Sequence, residues 1–196
     1  GMAEDALRIL VIDDNRIRAS VIEEGLLEAG YSHVTVITET ETLMRCVVET
    51  DPDMIFIDLG NPNRDSLEAA FAVSKAARRP IAMFVDRSDA AAMSAAIDAG
   101  VSAYIVDGLR KERVKPILDL AIARFNAFFR LQRELEETRS ALAERKIIEK
   151  AKGILMKGKG ISEQQAYDLL RKQAMRQNRK LAEIAEGLVL AAGLLE

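Results

Sequence analysis

Short apolar runs alternate with segments of helical periodicity between residues 7 and 120 of this chain. The first run, Leu7–Ile12, ends in two aspartates, and an apolar run bounded by polar residues is typical of a strand buried on both faces. Further strands are predicted at His33–Thr38, Met54–Ile57, Pro80–Val85 and Ala103–Val106. Strands that alternate with helices form a parallel sheet with helices on both faces, joined by right-handed crossovers. We therefore predict an α/β domain with the strand order 2-1-3-4-5.

Helices are predicted between these strands, because apolar residues recur there at three- and four-residue spacing. The first predicted helix ends at Gly30, and glycine is a common helix stop. The predicted ranges are Arg16–Ala29, Glu39–Thr50, Asp65–Ala77 and Ser88–Ala99.

A longer helix is predicted from Lys111, because no proline follows Pro116 and no glycine occurs before Gly153. One seam of this helix carries apolar and polar residues at coiled-coil spacing: Leu118, Ala121, Phe125, Phe128, Gln132, Leu135, Arg139, Leu142 and Lys146. The pattern favours an imperfect coiled coil and a homodimer, in which polar seam residues fix the register. A solvated helical linker without a partner is the alternative.

The tail of the chain is predicted to be all-α, with three short helices. The first covers Arg145–Lys157, the second starts at Ser162 with the pattern of a capping box and runs to Gln177, and the third opens at Arg179-Lys180. Residues 144–196 contain 11 Lys and Arg against 7 Asp and Glu, although the whole chain has a net charge of −3. A basic tail on an acidic first part suggests different partners for the two. We divide the chain into a domain at 7–120, a linker at 121–144 and a tail domain at 145–196.

The composition excludes several kinds of site. A single cysteine, Cys46, excludes an internal disulfide and a cysteine-based metal cluster. A single histidine, His33, argues against Ser-His-Asp chemistry. There is no long apolar run and no pattern of a secretory signal, so we expect a cytoplasmic protein that does not enter a membrane.

Acidic residues end two strands that are expected to be neighbours. Asp13 and Asp14 follow the first strand and Asp58 follows the third. The carboxyl ends of parallel strands share one edge of the sheet, so these side chains should converge. Converging carboxylates favour a hard cation, so this pocket is a candidate Mg²⁺ site, although no cofactor is expected to be required. The alternative is that they are ordinary loop acids.

The first domain resembles the receiver domain of response regulators, a flavodoxin-like fold. The matching motifs are Val11-Ile12-Asp13-Asp14, Ile55-Phe56-Ile57-Asp58, Pro80-Ile81-Ala82-Met83-Phe84 and Gly100-Val101-Ser102-Ala103-Tyr104. The resemblance implies that Asp58 is the phosphoacceptor and that Asp13 and Asp14 bind metal. Two positions depart from the family: Val85 replaces a hydroxyl residue, and Asp107 replaces a lysine, which turns attraction for a phosphoryl group into repulsion. We expect an atypical receiver that does not switch by aspartyl phosphorylation.

The tail resembles the ANTAR domain, an RNA-binding module. The matching residues are Ala151-Lys152-Gly153-Ile154-Leu155-Met156, Glu163, Ala166-Tyr167, Leu170-Arg171-Lys172, Ala174-Met175, Leu181, Ile184 and Ala185. Tyr167 is either a core aromatic or a platform on which an RNA base stacks. The predicted RNA-binding residues, Tyr167 included, are completed by Lys150, Lys152, Lys157, Arg171, Lys172, Arg176, Arg179 and Lys180, with most weight on Lys152, Arg171 and Arg179.

Taken over nearly the whole chain, the pattern is similar to the AmiR/NasT family of transcription antiterminators, and to its NasT branch in particular. That resemblance implies binding of paired hairpins in leader RNA, an indirect effect on RNA polymerase, and control of nitrate and nitrite assimilation genes. It also implies sequestration by a NasS-like nitrate-sensing protein. Its contact face is expected on the receiver surface or on Phe125–Phe129.

Two alternatives remain at this point. One is a phosphorylation-responsive two-component response regulator whose output domain binds DNA. The other is an enzyme, such as a metal-dependent phosphatase that uses the acidic pocket. No pair of nucleophile and base is visible in the sequence, so we expect a regulator rather than an enzyme.

Overall fold

The structure is a computed structural model that describes residues 6–39 and 41–195. The chain divides between Phe129 and Arg130 into two compact units. In the described residues the first unit contains the strands β1 (Arg8–Asp13), β2 (His33–Ile37), β3 (Met54–Gly60), β4 (Ile81–Val85) and β5 (Ala103–Val106). The helices are α1 (Arg16–Glu28), α2 (Leu43–Thr50), α3 (Arg64–Ala77), α4 (Ala90–Asp98), α5 (Lys111–Lys159), α6 (Glu163–Gln177) and α7 (Leu181–Leu194).

All strands that pair are parallel, and their order is β2-β1-β3-β4-β5, which confirms the predicted topology. Alternate residues of β1 enter two separate cores, because successive side chains of a strand point to opposite faces. Ile9 and Val11 pack with residues of α1 and of the first part of α5. Leu10 and Ile12 pack with residues of α2 and α3 on the other face. Both faces are therefore buried, as the continuous apolar runs predict.

Close packing explains one glycine inside a helix of the first unit. A Cβ built on Gly25 of α1 would lie 2.7 Å from the carbonyl oxygen of Lys111 and 3.0 Å from Val114. Any larger side chain would push α1 away from the start of α5. Glycine weakens the helix by roughly 1 kcal/mol relative to alanine, but only glycine allows this close contact between α1 and α5.

Within the first unit, two element boundaries differ from the prediction by more than two residues. The helix predicted at Glu39–Thr50 begins at Leu43, and Thr40 lies outside the described residues. Strand β3 extends to Gly60, where its register with β4 shifts between Asp58 and Gly60. Gly60 has a φ of 58°, a left-handed conformation that glycine adopts without strain. This irregular strand end places Asp58 inside the sheet rather than in a loop.

The helix predicted separately at Arg145–Lys157 is the last part of α5, which runs without interruption to Lys159. Gly153 and Gly158 lie within it, since isolated glycines weaken a helix but do not break it. It ends before Gly160, which has a φ of 61°. The predicted cap at Ser162 is confirmed: its hydroxyl accepts the N–H of Gln165, whose side chain in turn accepts the N–H of Ser162.

A small apolar core holds the second unit together. Ala151, Leu170 and Ala185 are buried at its centre, one from each of α5, α6 and α7. The alanines allow close approach, and partly buried aliphatic residues surround them: Ile147, Ile148, Leu155, Leu181, Ile184, Leu188 and Val189. In the part of the chain that the structure describes, no helix is both long and apolar enough to cross a membrane.

Replacing Leu170 by Ala should therefore destabilise the second unit. Leu170 is 3% exposed, and large-to-small substitutions of buried leucines cost about 2–5 kcal/mol. The neighbouring Leu169, 41% exposed, provides a matched control. Urea unfolding followed by circular dichroism should show a clear loss for Leu170→Ala and a small one for Leu169→Ala. Equal losses would contradict the packing described for α6.

Candidate functional site

Two buried carboxyl groups lie side by side at the carboxyl edge of the sheet. Asp13 of β1 and Asp58 of β3 are register partners, and each is 1% exposed. The Asn15 N–H donates to Asp13 Oδ1 at 2.9 Å, and the Gly60 N–H donates to Asp58 Oδ1 at 3.0 Å. Two buried acids in contact cannot both ionise cheaply, so the pair needs a shared proton or a positive partner.

Arg18 supplies that positive partner from the first turns of α1. Its Nε donates to Asp58 Oδ2 at 2.5 Å and its Nη2 donates to Asp58 Oδ1 at 3.0 Å. Its Nη1 lies 3.0 Å from Oδ1 of Asp86, the residue that follows β4. Paired N–H bonds from a guanidinium to one carboxylate are among the strongest polar contacts in proteins. The guanidinium therefore fills the face of Asp58 that points out of the sheet.

The start of α1 is fixed by its N-cap, which also sets the position of Arg18. The side chain of Asn15 accepts the backbone N–H groups of Ile17 and Arg18. On the opposite side, the Asp86 N–H donates to the Gly60 carbonyl at 2.7 Å. The segments that follow β1, β3 and β4 thus meet at the guanidinium.

The contacts assign different charges to the two buried acids. Burial raises the pKa of Asp13 to about 8, and its hydrogen bond with Asp58 acts in the same direction. Burial also raises the pKa of Asp58, but hydrogen bonds from Arg18, Asp13 and Gly60 outweigh it, and the net shift is downward. The hydrogen bond to Asp58 raises the pKa of Arg18. At neutral pH the pocket contains a protonated Asp13, an ionised Asp58 and a guanidinium.

The expected magnesium site is not the arrangement that the structure shows. Asp14 is exposed and does not join Asp13 and Asp58, so only two of the three predicted carboxylates converge. Among residues 6–39 and 41–195, no group of three or more acidic, histidine or cysteine side chains could hold a metal ion. With Arg18 bound to both oxygens of Asp58, the residues do not fit Mg²⁺, which requires oxygen ligands in near-octahedral geometry.

The two positions that depart from the receiver pattern, Val85 and Asp107, lie at the ends of β4 and β5. Val85 ends β4 and is 1% exposed, with its side chain in the core rather than in the pocket. Asp107 follows β5 with a φ of 50° and an exposed side chain. Exposure screens its charge, so the repulsion expected from Asp107 is weaker than a buried charge would exert.

Two residues that complete the pocket, Arg18 and Asp86, were not predicted from the sequence. Asp86 directly follows β4, so the rule that located Asp13 and Asp58 also applied to it. Arg18 lies on the helix that starts at the same edge of the sheet. Its long side chain could reach in several directions, and the spacing of residues does not select one.

The second unit changes the role expected of Lys152. Its side chain is only 10% exposed, and its ammonium lies 2.6 Å from Glu149 and 2.9 Å from Glu163. These contacts, first the hydrogen bond with Glu149 and then that with Glu163, raise the pKa of Lys152. Lys152 joins α5 to the first residue of α6, so its charge is engaged within the protein. That it is a main RNA-binding residue stays a prediction.

The remaining basic residues of the predicted surface are exposed. They are Lys150 and Lys157 on α5, Arg171, Lys172 and Arg176 on α6, and Arg179 and Lys180 before α7. Arg179 is half exposed and pairs with Glu183 at 3.1 Å, so part of its charge is already compensated. The role of Arg179 in RNA binding stays a prediction.

One row of α6 combines aromatic, basic and flexible apolar side chains. Tyr167, Arg171 and Met175 follow one another at four-residue spacing, which places them on one face of the helix. Tyr167 is 37% exposed and Met175 is 74% exposed, so neither is a core residue of this unit. An aromatic ring beside a guanidinium is suited to stacking on unpaired bases and to contacting phosphates.

Two protein families match separate parts of the chain. The response regulator receiver domain matches residues 9–119 and the ANTAR domain matches residues 136–189. The transcriptional regulatory protein PdtaR of Mycobacterium tuberculosis is 27% identical over 186 residues, which cover 95% of this chain and 91% of PdtaR. The nitrate regulatory protein of Klebsiella oxytoca is 40% identical over 80 residues, which cover 41% of this chain and 20% of that protein.

A solved structure supports the fold of the first unit. The signal receiver domain of a modulated diguanylate cyclase from Desulfovibrio desulfuricans G20 aligns with a TM-score of 0.53 at 20% identity. The alignment covers 63% of this chain and 98% of that domain.

The buried acid pair leads to a prediction about pH. The ordinary pKa of Asp13 is 3.8 and its folded value is about 8, so between these values the folded state holds a proton that the unfolded state has lost. The stability that this proton confers is complete below about pH 4 and is lost as the pH rises through about 8. The pKa of Asp58 is lowered and that of Arg18 is raised, so neither titrates in this window.

Replacing Asp13 by Asn should remove this loss, because the amide has the shape of a protonated carboxyl and can donate to Asp58. One pKa unit corresponds to about 1.4 kcal/mol, so Asp13→Asn should unfold several degrees higher than the wild type near pH 8. The difference should shrink toward pH 4 in thermal unfolding followed by circular dichroism. Parallel pH profiles for the two proteins would show that Asp13 is not the titrating group.

Proposed function

Because the chain belongs to the response regulators that join a receiver domain to an ANTAR domain, we propose that it is an antiterminator that binds hairpins in leader RNA. Both matched families are regulatory, and the ANTAR domain makes the chain an RNA-binding regulator. The observation that carries the finer proposal is the exposed row of Tyr167, Arg171 and Met175 within the matched region. Sequence-specific RNA recognition targets unpaired loop bases, which stack on aromatic rings and on guanidinium planes.

In this mechanism Tyr167 stacks on a loop base and Arg171 contacts the base or a phosphate. Lys150, Lys157, Lys172 and Arg176 attract the phosphate backbone. Binding stabilises an RNA hairpin whose sequence would otherwise contribute to a terminator. RNA polymerase is then affected indirectly, because it continues past a terminator that has not formed.

We also propose that two copies bind together through α5. Leu131, Leu135 and Leu142 are each more than half exposed, and their spacing is that of coiled-coil core positions. Leu131, which the predicted seam did not include, is 65% exposed and lies four residues before Leu135, so we propose that it also belongs to the seam. A dimer would present two RNA-binding units to paired hairpins.

The regulated genes are proposed to be those of nitrate and nitrite assimilation. This part of the proposal is supported by the partial similarity to the nitrate regulatory protein of Klebsiella oxytoca. A NasS-like nitrate-sensing protein would hold the regulator inactive until nitrate or nitrite is present. Its contact face is proposed on the receiver surface or around Phe125–Phe129, where Phe128 is 54% exposed.

Replacing Arg171 by Ala should weaken binding to a leader RNA with paired hairpins by roughly tenfold or more, since a stacked or phosphate-bound arginine contributes about 1–3 kcal/mol. The matched control is Arg16→Ala, an exposed arginine of α1 that lies outside both the proposed RNA face and the α5 seam. Gel shifts over a range of salt concentrations should show the wild-type affinity falling as salt rises. Equal RNA affinities of the two variants would contradict the proposed contact between Arg171 and RNA.

The same gel shift separates the proposal from its alternative, in which the output domain binds DNA. Promoter DNA of the same genes should bind only weakly and without sequence preference. Tighter, specific binding to that DNA than to the leader RNA would favour the DNA-binding regulator.

Control by a sensor is tested by adding the candidate nitrate-binding protein to the RNA complex. Without nitrate, the sensor should release the RNA, and nitrate should restore binding. Combining the regulator and the sensor in gel filtration should give a complex that nitrate dissociates. No effect of the sensor at either nitrate level would contradict sequestration while leaving RNA binding intact.

A further inference from the structure

The hydrogen-bonding capacity of the Asp58 carboxylate is taken up within the protein itself. Its Oδ2 accepts from Arg18 Nε, and its Oδ1 accepts from Arg18 Nη2 and from the Gly60 N–H. The Asp58 side chain is fully buried, whereas that of Arg18 is 26% exposed. A cation that approached Asp58 from solvent would meet the guanidinium first.

Such a pair is difficult to separate. Removing one partner from a buried ion pair leaves an uncompensated charge, which is strongly destabilising. The planar fork of arginine also matches a carboxylate better than a lysine ammonium does, because two N–H groups point to the two oxygens together. The third contact, from Nη1 to Asp86, holds the guanidinium from the side of β4.

We propose that Arg18 is a built-in counter-ion that takes the place of a divalent cation at Asp58 and keeps the receiver pocket closed to Mg²⁺. Arg18 pairs with two of the three acids around the pocket, Asp58 and Asp86, so its departure would free their carboxylate oxygens for a cation. The receiver of this chain is accordingly held in one state by its own side chain. Signals reach it through its surface rather than through ions that enter the pocket.

The backbone around the pocket is shaped to receive this guanidinium. A Cβ built on Gly60 would lie 3.9 Å from Arg18 Nε and 3.8 Å from Asp86 Oδ2, so the turn after Asp58 passes beside both groups. The capping of α1 by Asn15 directs the first turns of the helix toward the same edge of the sheet. The guanidinium of Arg18 is therefore surrounded by residues at the ends of three strands, β1, β3 and β4, which distinguishes it from an arginine on an open surface.

The test compares the thermal unfolding of the full-length chain with and without millimolar MgCl₂, at matched ionic strength. In Arg18→Ala, Mg²⁺ should raise the melting temperature by about 5 °C or more when its concentration is a hundredfold above its Kd. The wild type should show no such rise. The matched control, Arg16→Ala, removes an exposed arginine two residues earlier on the same helix and should behave as the wild type.

A purely structural ion pair would also make Arg18→Ala less stable, but it would not create a response to Mg²⁺. A folded Arg18→Ala that gains nothing from Mg²⁺, or a wild type that gains as much, would overturn the proposal. Arg18→Gln, which keeps an amide donor and removes the charge, should show the same gain if the alanine variant does not fold.

Calorimetric titration with MgCl₂ tests directly whether the wild-type pocket is closed to Mg²⁺. The absence of saturable binding at millimolar concentrations is expected, and saturable binding would overturn the closed pocket. The RNA-binding residues take no part in these measurements, so either result leaves the proposed function to its own tests.

Discussion

The pairing of Arg18 with Asp58 is the interaction on which the first unit depends. A parallel sheet brings the ends of its strands to one edge, and here that edge places two buried carboxyl groups side by side. The sheet can hold both because one keeps a proton and the other is matched by a guanidinium. The repulsion between the two carboxyl groups that the topology brings together is thus compensated within the chain, by Arg18 of α1.

The second unit is held together by a small apolar core and by one ion pair between two of its helices. Its three helical segments share a core of three buried residues, two of which are alanines. Lys152 adds an ion pair that fixes the start of α6 against α5. The side chains that face away from this core, including Tyr167, Arg171 and Met175, are thereby held on a defined helical surface. Stability and the proposed RNA recognition therefore depend on different residues of the same short motif.

The parts of this structure that depend on periodicity were predictable, and the parts that depend on the direction of long side chains were not. The strand order, the Ser162 capping box and the exposure of Arg171 follow from spacing and local chemistry. The partners of Arg18 and Lys152 do not follow from the sequence, because the sequence gives the charge of a basic residue but not the acidic residue with which it pairs. Asp14 illustrates the converse, since adjacent residues of a chain leaving a strand point in different directions and only Asp13 is buried.

We propose that RNA binding by this regulator is controlled without phosphate in the receiver pocket. The most direct measurement treats the full-length protein with Mg²⁺ and a small phosphodonor, records its intact mass, and determines its affinity for leader RNA on the same sample. The account predicts an unchanged mass and an unchanged affinity. A stable adduct with the mass of one phosphoryl group, accompanied by a change in RNA affinity, would contradict it.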